Sequence, residues 1–139
     1  MIEFHYKAEF ELEESERHAD WIERVVVSET FVCGEINFVF CTDEYLLELN
    51  QEYLNHDTLT DIITFDYTDG NLISGDVFIS VERVKDNAQS FETTPKNELK
   101  RVMAHGVLHL MGYKDKATKD KQVMRAKEDE KIKMFHVEP

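Results

Sequence analysis

The sequence predicts an α+β fold in which a mixed, roughly four-stranded β-sheet packs against several α-helices. Three observations lead there. Short segments of alternating apolar and polar residues are interspersed with segments whose apolar positions repeat every three or four residues. Two neighbouring strand segments flank an Asp-Gly turn, the mark of a hairpin. A length of 139 residues with 42% hydrophobic content suits one core, hence a single domain over residues 1–139.

The elements follow in order. Ile2, Phe4 and Tyr6 alternate with polar neighbours and predict a first strand. A helix is expected from about Ser15 to Phe31, burying Trp21, Val25 and Val26. Ile36, Phe38 and Phe40 alternate again as a second strand, and Thr42-Asp43 offers an N-cap for a helix through Leu46, Leu47, Leu49 and Tyr53. Ile62 to Tyr67 is rich in β-branched and aromatic residues, Asp69-Gly70 turns the chain, and Asp76 to Ser80 returns as the partner strand. Ser80 caps a helix to about Ser90. Thr94-Pro95 starts the next, with Leu99, Val102, Met103, Gly106, Val107 and Leu110 at helical spacing and Gly112 at its C-terminal turn. Thr118 is expected to cap a last helix reaching about Met134.

Composition narrows the function classes. No apolar run approaches the roughly 20 residues that span a bilayer, and no basic head precedes an apolar stretch, so neither a membrane anchor nor a signal peptide is expected. Cys33 and Cys41, with seven residues between them, match no metal-finger spacing and read as two reduced thiols, making a cytoplasmic location the default. The net charge of −13 argues against nucleic acid until its distribution is considered. Residues 1–95 carry 5 basic and 22 acidic side chains, whereas residues 96–139 carry 11 basic and 7 acidic ones. That asymmetry permits an anionic substrate near the C-terminal third, while the acidic remainder predicts poor affinity for duplex DNA.

The chemistry concentrates in His105-Gly106-Val107-Leu108-His109-Leu110-Met111-Gly112-Tyr113-Lys114-Asp115. Two histidines four apart on a helix reach one ion from the same face. The helix must then end at once; Gly112 permits that turn, and Asp115 approaches from another side. The spacing H-x-x-x-H-x-x-G-x-x-D has the ligand geometry of the metzincin pattern, with a carboxylate as third ligand. His105, His109 and Asp115 therefore predict one Zn²⁺ per chain on a zincin-like helix. Three protein ligands leave a position for water, the sign of a catalytic site, and zinc brings the pKa of water near ~7. A zinc protease needs a glutamate beside the first histidine, and that position is Gly106. Gly106 serves either close approach to the ion or tight helix packing.

From His105 to Tyr113 the chain resembles the YbeY-like family of metal-dependent endoribonucleases of ribosomal RNA maturation, whose signature reads H-G-x-L-H-L-x-G-Y-D-H. Leu49-Asn50-Gln51-Glu52-Tyr53 with Asp57 and Thr60-Asp61-Ile62-Ile63-Thr64-Phe65 resembles a second signature, and Gly75-Asp76-Val77-Phe78-Ile79-Ser80 a third. The resemblance implies a single-strand-specific endoribonuclease acting on ribosomal RNA precursor, in late small-subunit 3′-end maturation, with the ribosomal small subunit as a partner. Three departures stand out: Asp115 replaces the family's third histidine, Lys114 the aspartate before it, and Leu54 and His56 its arginine and lysine. The missing arginine is the natural phosphate clamp, so Arg101, four residues before His105, and Lys114 are the candidate phosphate contacts, each with a structural alternative: an ion pair for Arg101, a solvated turn lysine for Lys114. Asp61 and Thr60 are read as capping the strand that follows, and Met124 as a core residue rather than a floor under the metal. Two rival readings remain: a ribosome-assembly module with a structural or vestigial zinc, and a zinc peptidase.

Overall fold

The computed structural model describes residues 1–53 and 60–136; Leu54, His56 and Asp57 lie outside them. The order is β1 (Ile2–Tyr6), α1 (Ser15–Ser28), β2 (Val32–Cys41), α2 (Asp43–Tyr53), β3 (Ile62–Asp66), β4 (Leu72–Ser80), α3 (Val81–Ser90), α4 (Pro95–Leu110) and α5 (Thr118–Met134). The four strands form one mixed sheet in the order β1-β2-β4-β3. β1 and β4 both run parallel to β2, with Phe4 beside Phe38 and Phe38 beside Val77. Parallel neighbours need a crossover, which α1 supplies between β1 and β2. β3 pairs antiparallel with β4, Thr64 opposite Val77, as the expected hairpin. Gly70 sits at φ 61° in its turn.

Strand alternation sorts the side chains between two faces. Ile36, Phe38 and Phe40 of β2 and Ile73, Val77 and Ile79 of β4 join the main core with Trp21, Val25, Met103 and Val107 from α1 and α4. Ile63, Phe65 and Phe78 point the other way and pack with Leu46, Tyr45 and Leu49 of α2. α5 closes over α4 and α1, with the Trp21 indole N–H donating to the Lys131 carbonyl at 2.7 Å. Met124 is buried in the core, as its sequence position suggests.

Several boundaries differ from expectation. α1 stops at Ser28 rather than near Phe31, because Thr30 adopts φ 66°, which a helix cannot continue through. β2 and β4 begin earlier, at Val32 and Leu72, where backbone pairing extends past the alternating cores. Thr118 is the first residue of α5 instead of its cap; Ala117 holds the cap position and makes no side-chain bond. Thr42, Ser80 and Thr94 do cap: their hydroxyls accept from the amides of Tyr45, Arg83 and Asn97. Both cysteines are free, and burial pushes the Cys41 thiol up to about 12, so it stays protonated. No helix of the described residues is long and apolar enough to cross a membrane.

Candidate metal centre

α4 carries the site because its two faces differ. Val102, Met103, Gly106, Val107 and Leu110 are buried beneath it, while His105 and His109 sit half-buried at its edge. Gly106 explains how close the helix lies to the sheet. A Cβ there would come within 2.7 Å of Val77 Cγ1 and 3.0 Å of Ile62 Cδ1. Tight packing is thus the role of this glycine.

The helix ends as the ligand geometry requires. Gly112 adopts φ 100°, its N–H donates to the His109 carbonyl, and the Tyr113 N–H donates to the Leu108 carbonyl. This left-handed ending satisfies the last carbonyls and reverses the chain. Asp115 then returns to the histidines, its Oδ2 3.2 Å from His105 Nε2 and 3.3 Å from His109 Nε2. One ligand atom from each of the three residues lies within 4.8 Å of the others.

Two further contacts fix which nitrogen faces inward. His105 Nδ1 lies 2.6 Å from Glu128 Oε2, and His109 Nδ1 lies 2.9 Å from the Tyr113 carbonyl. A carboxylate and a carbonyl only accept, so both Nδ1 atoms donate, and in the neutral rings both Nε2 atoms present lone pairs. In that form two lone pairs and a carboxylate oxygen converge on one point. Such an arrangement fits a cation, and a second partner on each imidazole is the usual way proteins orient metal-binding histidines. The donor set, two imidazoles and one carboxylate, suits a borderline divalent ion.

Beside the triad lies a polar cavity of about 270 Å³, lined by Thr60, Asp61, Thr64 and Arg101 as well as the three ligands. Asp61 therefore does more than begin a strand. Its carboxyl faces the cavity region, and burial pushes it above the ordinary aspartate range, partly offset by Arg101. Arg101 reaches the cavity too, but its guanidinium is already committed. It donates to Glu98 at 2.9 and 2.5 Å and to Glu128 at 3.3 Å, and lies 3.6 Å from Asp61. Hydrogen bonding to Glu98 raises its pKa, so it stays charged, yet three carboxylates neutralise it. The structural alternative for Arg101 is the one this geometry favours. Lys114 is exposed beside Asp115 and makes none of the ion pairs found among the described residues. Lys116, Lys119 and Lys121 are exposed in the same stretch, whereas Lys127 and Lys131 are drawn inward to Glu29.

Sequence reasoning missed Glu128, Glu98 and Glu29. Glu128 is 2% exposed and joins His105 to Arg101. The available signal was its place with Met124 and Lys131 on one stripe of α5, charged residues at buried spacing. Glu29, just after α1, accepts from the Tyr113 hydroxyl at 2.5 Å and from Lys131 at 2.7 Å, pinning the segment whose carbonyl orients His109. Burial works to raise the Glu29 carboxyl, but hydrogen bonds from Lys131, Tyr113 and Lys127 outweigh it and hold it at about 2. A carboxyl depressed from 4.5 adds stability above its unfolded pKa and loses it as pH falls toward about 2. Glu29→Gln is therefore expected to be less stable at neutral pH and to show a shallower loss of stability between those two values, read by denaturant unfolding across pH. An unchanged slope would remove Glu29 from this role.

Comparison with known proteins agrees with this architecture. The family model described as endoribonuclease YbeY matches residues 3–136. Proteins named endoribonuclease YbeY are 62% identical in Flavobacterium johnsoniae, covering 99% of both chains, and 48% identical in Cytophaga hutchinsonii, covering 94% of this chain and 92% of the relative. A solution structure from Thermotoga maritima superposes with a TM-score of 0.68 at 26% identity, covering 97% of this chain and 89% of that one. The helix with its histidine pair, its glycine-ended turn and the mixed sheet thus sit in a chain matched along nearly its whole length, and the chain belongs to the endoribonuclease YbeY family.

Proposed function

We propose that this chain is a zinc-dependent endoribonuclease that cuts single-stranded RNA, acting on ribosomal RNA precursor during small-subunit 3′-end maturation. The observation that carries the reading is the convergence of His105 Nε2, His109 Nε2 and Asp115 Oδ2 at the wall of a polar cavity. His105, His109 and Asp115 would hold the zinc, which would supply Lewis acidity toward a phosphoryl oxygen and activate water at neutral pH. The residues do the rest. Glu128 and the Tyr113 carbonyl hold the imidazoles in one tautomer and orientation. Arg101 acts as a positioning residue that holds Glu128 in place. Lys114, with Lys116, Lys119 and Lys121 behind it, offers the exposed cations along which an RNA backbone runs. A single strand is favoured because its phosphates bend into a cavity of this size, while the acidic N-terminal two-thirds repels a rigid duplex. Gly106 faces the sheet, so no general base of the zinc-peptidase kind adjoins His105.

The test is cleavage of end-labelled ribosomal RNA precursor, single-stranded and annealed to its complement, with and without chelator. Chelator-sensitive cutting of the single strand alone is expected. Binding without cutting, in protein shown to hold one zinc per chain, would favour the ribosome-assembly module instead. Lys114→Ala should weaken RNA binding without changing zinc content, and should flatten the dependence of log affinity on log salt by about 0.7, the contribution of one single-strand phosphate contact. An unaltered salt slope would make Lys114 a solvated turn residue.

A further inference from the structure

A second cavity, of about 200 Å³, lies away from the metal centre, between the segment joining β1 to α1, helices α3 and α4, and Phe135 after α5. It shares none of its lining residues with the polar cavity. Its walls are largely apolar, formed by Phe10, Leu12, Val84, Leu99 and Phe135. Into this setting α4 sends Lys100, which is only 8% exposed. Its ammonium lies 4.0 Å from the centre of the Phe135 ring and has no carboxylate within ion-pair distance among the described residues. The neighbouring cations are different. Lys96 pairs with Glu13 at 3.0 Å, and Arg17 pairs with Glu14 at 3.1 Å. Glu13 and Glu14 are thereby engaged, Glu11 lines the cavity without reaching Lys100, and the ammonium of Lys100 is left with the aromatic face and solvent.

The stem of Lys100 is buried while its ammonium still reaches water, and an aromatic ring replaces only part of the hydration such a group gives up. Burial accordingly pushes Lys100 below the ordinary lysine range. An anionic group entering the cavity would supply the missing partner, and the apolar walls would take up the rest of the molecule. The volume is below the ~300 Å³ at which drug-sized ligand sites begin, which limits the apolar body to roughly six to ten heavy atoms. We propose that this cavity, with Lys100 at its head and Phe10, Leu12, Val84, Leu99 and Phe135 as walls, is a binding site for a small amphiphilic carboxylate. The inference stands independently of the RNA reading, since no residue of the metal centre takes part.

Trp21 makes the site measurable. It is the only tryptophan in the chain and stands edge-on to Phe135 at 5.4 Å, so its emission reports on that wall. Octanoate, octan-1-ol and acetate are titrated into the full chain and followed by Trp21 fluorescence and by calorimetry. Saturable binding of octanoate is expected, with the alcohol at least about tenfold weaker for want of the charge-assisted contact, and acetate weaker still. Lys100→Met should weaken octanoate by about tenfold or more, leave octan-1-ol unchanged, and Lys100→Arg should restore octanoate binding. No saturation by either method overturns the site. So does equal affinity for octanoate and octan-1-ol, or octanoate binding to Lys100→Met as to the parent. Should Lys100→Met fail to fold, the comparison of the three probes on the unaltered chain decides alone.

Discussion

Asp115→Ala is expected to lose metal and RNA cleavage together, while Asp115→His keeps both. Of the three candidate ligands the carboxylate alone is not carried by α4; it arrives through the turn at Gly112 and closes on both imidazoles at 3.2 and 3.3 Å. Without it, two histidines on one helix face bind an ion weakly, and affinity should fall by more than the ~10–100-fold that loss of an outer partner costs. An imidazole at the same place restores a third nitrogen or oxygen donor of the kind zinc accepts. His109→Ala should match the alanine variant at position 115. The measurement is zinc affinity by competition with a chromophoric chelator, alongside cleavage of single-stranded RNA. Parent-like zinc affinity in Asp115→Ala would place the third ligand elsewhere and undo the assignment.

Glu128→Ala should produce the second largest loss, although Glu128 is no ligand. Its carboxylate accepts from His105 Nδ1 at 2.6 Å and from Arg101 at 3.3 Å in a nearly solvent-free position. Removing it frees the His105 ring to rotate or change tautomer, which should weaken zinc by about 10–100-fold. It also leaves Arg101 facing one strong partner fewer, and breaking a buried pair on one side costs about 3–5 kcal/mol. Glu128→Gln separates the two effects. The amide oxygen still accepts from Nδ1, so zinc affinity should recover more fully than stability. Equal zinc affinity in all three proteins would make Glu128 purely a packing residue.

The sequence revealed the ligands more readily than their supports, for a physical reason. Ligand spacing is local: His105, His109, Gly112 and Asp115 fall within eleven residues, and a helix followed by a left-handed turn dictates where they meet. Capping was legible for the same reason at Thr42, Ser80 and Thr94, where one side chain bonds an amide three residues on. Glu128 meets His105 across 23 positions and Glu29 meets Tyr113 across 84. Such contacts depend on how α5 lies over α4 and α1, which no periodicity encodes. The parallel pairing of β1 and β4 on either side of β2 is likewise a long-range outcome, whereas the β3–β4 hairpin was visible in its Asp-Gly turn. Arg101 shows the converse case. Its nearness to His105 in sequence suggested a substrate contact, and the fold surrounds it with carboxylates instead.

The contact beneath Gly106 also bears on what this scaffold can become. Any side chain added there would run into Val77 and Ile62 of the sheet. A glutamate introduced to create a proteolytic base would be driven into the apolar layer, uncharged or unfolding, rather than toward the cavity. Conversion to a peptidase by a single codon change is therefore closed. A designer, or a lineage, would first have to hollow out β3 and β4 with smaller residues at 62 and 77, losing core packing before any new chemistry appeared. The helix that offers two histidines to an ion is held so near its sheet that its reaction repertoire is confined by a valine on the far side.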